Sequence, residues 1–261
     1  MITKLLEFKN QRQELLRGIL AIGGGDNQHV VIMLGGFERA GTTERKFKIL
    51  ADELAKNDVA SFRFDAADCG LSDGSFYHMT TKSLSEDILS AIDFLKIQGY
   101  ERFSIVGHSL AACAISLLLD EIVFEKIVLI SPALNQRDLL RLWFAQKNNK
   151  DAEVNWENYK EYYKESDFIL DLENDMLTKT HRLNREYKVE NQAVDYGENY
   201  NKISTDKILL IQGNNDDKVP LESINVNFSN KMIIDKGDHD LEKAGIIEGW
   251  YKSAVDFLKN C

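Results

Sequence analysis

Phe103-Ser104-Ile105-Val106-Gly107-His108-Ser109-Leu110-Ala111-Ala112-Cys113-Ala114 is the stretch on which the reading of this chain turns. Phe103–Val106 is a short apolar run of strand length, and the residues after Ser109 have the composition of a helix. Between them only a tight turn fits. A serine on such a strand-to-helix turn has its hydroxyl left standing at the carboxyl edge of a sheet, provided that small residues flank it. Gly107 meets that demand on one side and Ala111 on the other, and Ala112, Cys113 and Ala114 keep the helix thin where it meets the strands. Ser109 is therefore the candidate nucleophile. The bland alternative is a structural turn whose serine caps the helix.

Working outward, strands and helices alternate on both sides of this turn. Lys4–Phe8 and Leu15–Ile22 read as strands joined by a turn around Asn10–Arg12, and Gly23-Gly24-Gly25-Asp26-Asn27 is a strong turn signal. His29–Leu34 is a continuous apolar run closed by Gly35-Gly36, the pattern of a buried strand. Thr42 or Thr43 can cap a helix that runs to about Lys56. Val59–Phe64 is the next strand. Leu84, Ile88, Ile92 and Leu95 recur at helical spacing, so a second helix covers about Lys82 to Ile97. Lys126–Ile130, Lys207–Ile211 and Lys231–Ile234 are further strands, and Ile246–Leu258 is a closing amphipathic helix. Alternation of this kind makes a mostly parallel sheet of about eight strands with right-handed crossovers. Residues 134–204 break the rhythm with apolar residues at helical spacing. They read as an inserted, mainly helical cap on a core made of residues 1–133 and 205–261, because a structureless loop of that length is rare in a compact domain.

A serine hydroxyl is a poor nucleophile until a base takes its proton. Of the five histidines, His239 has the right setting, in a short loop just after the last strand. His108 lies inside the turn and points away from the serine, His29 begins a buried strand, His78 sits in a polar loop, and His181 lies in the insertion. The base in turn needs a carboxylate to hold its tautomer. Asp216 follows a strand in Gly213-Asn214-Asn215-Asp216-Asp217, which brings it to the same sheet edge, with Asp217 as its rival. An oxyanion site wants two backbone N–H groups. Leu110, after the nucleophile, supplies one, and Phe37, after the glycine pair, the other. In the insertion Trp143, Phe144, Trp156 and Tyr159 are candidates for an acyl pocket, although aromatics at helical spacing more often form the insertion's own core.

These motifs, in the order Ser, Asp, His, resemble the α/β-hydrolase superfamily across almost the whole chain. From Gly35 to Leu95 the likeness narrows. Gly36-Phe37, Leu54-Ala55-Lys56-Asn57-Asp58-Val59-Ala60, Arg63-Phe64-Asp65 and Gly70-Leu71-Ser72-Asp73-Gly74 are similar to the bacterial cinnamoyl (feruloyl) esterase branch. The resemblance implies an α/β-hydrolase fold, a Ser109–His239–Asp216 triad, Phe37 and Leu110 as oxyanion donors, and an insertion that shapes a pocket for an aromatic or medium-sized acyl group. The chain departs from that branch at Gly35, where His is usual, at Ala111, where Gly is usual, and at Asp68-Cys69, which stands where Gly-His is usual. The expected activity is that of a serine carboxylesterase. A thioesterase, amidase or acyltransferase would use the same residues. The reading of another class is a non-hydrolytic homologue that binds a small ligand.

Composition sets the remaining bounds. At 261 residues with 44% hydrophobic side chains, the chain can bury one large core. A net charge of −10 argues against nucleic acid and anionic membranes as partners; the partner that the motifs and the resemblance imply is a small acyl substrate. No apolar run approaches the ~20 residues of a membrane span, and Met1–Glu7 lacks the basic and apolar regions of a signal peptide. Three cysteines (Cys69, Cys113, Cys261) show no disulfide or metal spacing. A cytoplasmic protein with no metal and no cofactor is expected. The sequence leaves oligomeric state open, a homodimer included.

Overall fold

The computed structural model describes residues 1–25, 28–178 and 180–260. Asp26 and Asn27 of the glycine-rich turn and the cysteine at 261 lie outside the described residues. The chain opens with a hairpin, β1 (Ile2–Lys9) and β2 (Leu15–Ile22), and continues into β3 (His29–Leu34), α1 (Arg45–Lys56), β4 (Ala60–Asp65), α2 (Thr81–Ile97), β5 (Arg102–His108), α3 (Ala111–Ser116) and β6 (Ile127–Ile130). The stretch from 134 to 204 then carries α4 (Gln136–Asn148), α5 (Glu165–Leu172), a two-stranded hairpin of β7 (Met176–Leu177) and β8 (Arg182–Leu183), α6 (Glu186–Asn191) and α7 (Gly197–Tyr200). The chain returns through β9 (Ile208–Gly213) and β10 (Asn230–Ile234) and ends with α8 (Tyr251–Lys259).

Eight strands form one sheet in the order β1-β2-β4-β3-β5-β6-β9-β10, with β2 antiparallel to both its neighbours and every later pair parallel. This is the expected α/β-hydrolase fold. Strand residues alternate between two layers of core, as the period of two requires. Val30, Ile32 and Leu34 of β3 face α2 and α3, while Val31 and Met33 face α1 and α8. Trp250, at the start of α8, is fully buried in the second layer and donates Nε1–H to the Leu241 carbonyl. Each such large side chain contributes roughly 1.5–3 kcal/mol of hydrophobic stabilisation.

The sheet order decides where chemistry can occur. Strand order reverses at β3, which has β4 on one side and β5 on the other, and a crevice opens beyond the carboxyl ends of strands at such a point. Leu34 pairs with Gly107, so the loops that follow them, carrying Phe37 and Ser109, emerge side by side.

Local differences from expectation have identifiable causes. Thr42 and Thr43 do not cap α1, which starts at Arg45. The buried Asp65 carboxylate at the end of β4 draws Thr42 away, accepting from its N–H (2.8 Å) and its hydroxyl (2.7 Å). The closing helix covers only Tyr251–Lys259, preceded by a short 3-10 turn at Ile247–Gly249, because Trp250 leaves the helical region to reach Leu241. No helix among the described residues is long and apolar enough to cross a membrane.

Candidate active site

Ser109 sits at φ +54°, a left-handed backbone that costs a non-glycine residue roughly 1–3 kcal/mol. The neighbours hold it there: its N–H donates to the Ile130 carbonyl of β6 at 2.9 Å. At Gly107 a Cβ would stand 2.5 Å from the Ile115 Cδ1 and 3.3 Å from the Ala111 Cβ, so a larger residue there would have to displace the buried Ile115 side chain. A second close approach brings the loop after β3 against the turn. A Cβ on Gly36 would meet the His108 carbonyl oxygen at 2.7 Å and the Ser109 Cβ at 2.8 Å. That contact needs glycine at 36.

His239 reaches Ser109 from the loop after β10, with its Nε2 3.0 Å from the Ser109 Oγ. Its Nδ1 is 2.8 Å from the Asp216 Oδ2. The carboxylate oxygen can only accept, so Nδ1 carries the proton and Nε2 offers its lone pair to the serine hydroxyl. Asp216 is fully enclosed and its carboxylate is saturated. Oδ1 accepts from the Lys218 and Val219 N–H groups (3.0 and 2.9 Å), and Oδ2 accepts from the Gln212 Nε2 (3.1 Å) as well as from His239. Asp217, its rival, is exposed.

The His239 loop is fastened from several sides. His108 points away from Ser109 and places its Nε2 3.0 Å from the His239 carbonyl oxygen, which makes it a donor and not a base. Burial, reinforced by the Lys46 charge, holds its imidazole well below the usual pKa. Arg39 pairs with Asp240 at 2.6 Å, and the fully buried Lys46 pairs with Glu44 (2.9 Å) and Glu242 (3.1 Å).

The backbone N–H groups of Phe37 and Leu110 donate to no acceptor among the described residues. Both residues line a cavity of ≈510 Å³ that also exposes Ser109 and His239. Both amides are thereby available to an acceptor that enters the cavity beside the Ser109 hydroxyl.

The pocket aromatics divide. Trp143 lines the cavity, its Nε1–H donating to the Lys218 carbonyl at 2.8 Å. Phe144 does not. One residue further along α4 it is turned by about 100° and packs on Phe168 and Tyr163. Tyr159 is 2% exposed and stacks on Tyr163, so it belongs to a small buried cluster with Leu139, Leu142 and Val219 and not to the cavity wall. Trp156 leans on Tyr159 and borders a different groove, behind Asp216. The cavity is completed by residues that sequence reasoning missed, among them Glu38, Arg39, Gln136, Met176, Thr180 and Tyr187. Only Glu38 and Arg39 carried a local signal, by following Phe37 directly. Tyr187 is one of several insertion tyrosines with nothing in its spacing to single it out. Burial pushes its phenol pKa well above the ordinary value. Cys69 is buried and its thiol is pushed up to about 12, chiefly by that burial, so it is no rival nucleophile.

Residues 25–237 match the family model described as Hydrolase_4, serine aminopeptidase S33. No curated protein matches the chain. Among solved structures, Est1E from Butyrivibrio proteoclasticus with ferulic acid bound is similar at 17% identity and TM-score 0.71, covering 97% of this chain and 96% of that one. The α/β hydrolase GrgF from Penicillium sp. sh18 shares 14% identity at TM-score 0.71, with 99% and 98% covered. The Pyrococcus furiosus esterase Pf2001 shares 18% at TM-score 0.69, with 99% and 90% covered.

Proposed function

The chain belongs to the serine aminopeptidase (S33) family of α/β-hydrolases, and from that premise we propose that it is a serine esterase working through an acyl-enzyme on Ser109. One observation carries the reading: a Ser109–His239–Asp216 relay with spacings of 3.0 and 2.8 Å opens on the same cavity as two acceptor-free amides. His239 takes the hydroxyl proton as Ser109 attacks the carbonyl carbon. Asp216 holds the tautomer and stabilises the imidazolium. The Phe37 and Leu110 N–H groups receive the oxyanion, each worth on the order of 10²–10³ in rate. His239 then protonates the leaving alcohol, and water deacylates the enzyme by the same steps in reverse.

We place residues 134–204 over the site as a cap, and Phe37, Trp143 and Tyr187 around an aromatic or medium-sized acyl group. The cavity volume supports this, being of the size that holds small organic ligands. So does the likeness to Est1E, which binds ferulic acid. A cytoplasmic location accords with the two described cysteines, both free and buried.

The test is a fluorescent fluorophosphonate followed by peptide mass spectrometry, with Ser109→Ala alongside. Labelling at Ser109 that vanishes in the variant, with turnover of p-nitrophenyl acetate and methyl cinnamate, is the expected result. A folded wild-type protein that takes no label and turns over neither ester refutes the reading and leaves the ligand-binding one. The family description names an aminopeptidase, so an aminoacyl p-nitroanilide is included. Faster cleavage of it than of the esters would make the protein an amidase.

A further inference from the structure

Glu38 follows the oxyanion residue Phe37 and has a left-handed backbone, φ +56°, which a non-glycine residue adopts only under constraint. The constraint comes from far along the chain. Oε1 of Glu38 accepts three hydrogen bonds from the tip of the β7–β8 hairpin: from the Thr178 hydroxyl, from the Thr180 hydroxyl at 3.1 Å, and from the His181 Nδ1 at 2.9 Å. The Thr178 hydroxyl is itself fixed by the His181 and Thr180 N–H groups (2.9 and 3.2 Å). Burial alone would raise the Glu38 pKa, yet bonds from Thr178, His181 and Thr180 outweigh it and lower the net value. The hairpin also touches the loop through aromatic rings. His181 lies on Phe76 with centroids 4.6 Å apart, and Phe76 meets Phe37 edge-on at 5.2 Å. Glu38, Thr180 and Met176 all line the cavity.

We propose that Glu38 is a positioning residue: a latch that ties the insertion's hairpin to the oxyanion loop and so holds the Phe37 N–H in its place. The physical reason is a division of labour. The left-handed turn at 38 aims the loop, and it is under strain. Three donors on one carboxylate oxygen, anchored in a separate element, offset that strain and remove the loop's freedom to relax. The cavity wall and the oxyanion donor thereby become one mechanical unit, so a substrate that presses on the hairpin also presses on the catalytic loop.

Glu38→Gly separates latch from turn. Glycine adopts positive φ without strain, so the turn survives while the carboxylate is lost. Glu38→Gln keeps an acceptor oxygen for the two threonines. The kinetic arm rests on the esterase reading; the second arm, deuterium exchange of the hairpin amides in β7 and β8, does not. With p-nitrophenyl acetate, kcat should fall on the order of tenfold in Glu38→Gly with KM within about twofold, because the donor is displaced and not removed. Glu38→Gln should recover part of that loss. Thr178→Val should lower kcat in the wild-type background and add nothing to Glu38→Gly. Hairpin exchange should accelerate in Glu38→Gly.

Wild-type kcat in Glu38→Gly, or a loss confined to KM, overturns the positioning role. Unchanged hairpin exchange overturns the latch itself. If wild type takes no fluorophosphonate label, the esterase reading has failed, and the exchange arm still decides whether Glu38 holds the hairpin.

Discussion

Replacing Asp216 by Asn changes one atom, and the surroundings of that atom determine what the change does. All four groups around the carboxylate are donors: the Lys218 and Val219 amides on Oδ1, and the Gln212 Nε2 and the His239 Nδ1 on Oδ2. An asparagine has one oxygen to share among them. Turned away from Oδ1, it would leave the buried Val219 N–H without an acceptor, which costs roughly 1–3 kcal/mol, with a smaller cost at the more exposed Lys218 N–H. The oxygen therefore stays with the two backbone amides, and the new –NH₂ faces His239. Two donors cannot share that contact. The imidazole responds by moving its proton to Nε2, where it points at the Ser109 Oγ, 3.0 Å away, and cannot accept the hydroxyl proton. The same tautomeric fault in serine proteases lowers kcat about 10⁴-fold, about 5.5 kcal/mol. For Asp216→Asn a kcat loss on the order of 10³–10⁴ with p-nitrophenyl acetate is expected on the same ground, with native circular dichroism. Asp217→Asn, at an exposed site, should stay within about twofold of wild type, as surface exchanges do. A folded Asp216→Asn with kcat within tenfold of wild type, or an equal loss in Asp217→Asn, would refute the reasoning and return the triad's acid to open choice.

Two further outcomes concern stability. Lys46 is fully buried between Glu44 and Glu242, so Lys46→Met leaves the buried Glu44 carboxylate without its nearest cation. A loss of about 3–5 kcal/mol is expected from urea denaturation at neutral pH, and a loss under about 1 kcal/mol would show that the cluster does not depend on the lysine. The Asp68 carboxyl is raised to about 7, first by burial and then by the Glu14 charge, and its Oδ1 has no partner among the described residues. The folded state therefore holds a proton that the unfolded chain releases near its ordinary value of 3.8. The stability that this proton confers is present in full below that value and is lost as pH rises to about 7. Asp68→Asn should be close to wild type in denaturation midpoint near pH 4 and increasingly more stable than wild type up to about pH 7, with no further gain above it. A gap that is constant with pH removes Asp68 from the account.

The elements that chain-local patterns can encode were legible, and those made by long-range contact were not. The turn around Ser109 could be read because a tight strand-to-helix connection forces small residues at 107 and 111, a demand that lies within five consecutive residues. Asp216 and His239 were legible at one remove, as polar residues just past strands that had to end at the same edge of the sheet. The sequence favours Asp216 over Asp217 without showing what separates the two adjacent carboxylates: the Val219 and Lys218 amides turn Asp216 inward and leave Asp217 exposed. Helix starts were misjudged where a buried group made a stronger claim on the capping residue, as Asp65 does on Thr42. The pocket aromatics were legible only in part, for a geometric reason: Trp143 and Phe144 are chemically similar neighbours, and a step of about 100° around α4 turns one to the cavity and the other onto Phe168 and Tyr163. Glu38 shows the limit most plainly. Its partners stand 140 to 143 residues away, and no periodicity near residue 38 marks it as more than a charged loop residue. What local sequence recorded was the placement of Ser109, Asp216 and His239 at one edge of the sheet, whereas the far wall of the cavity beside them is made by Gln136, Trp143, Met176, Thr180 and Tyr187, brought there by contacts that span much of the chain.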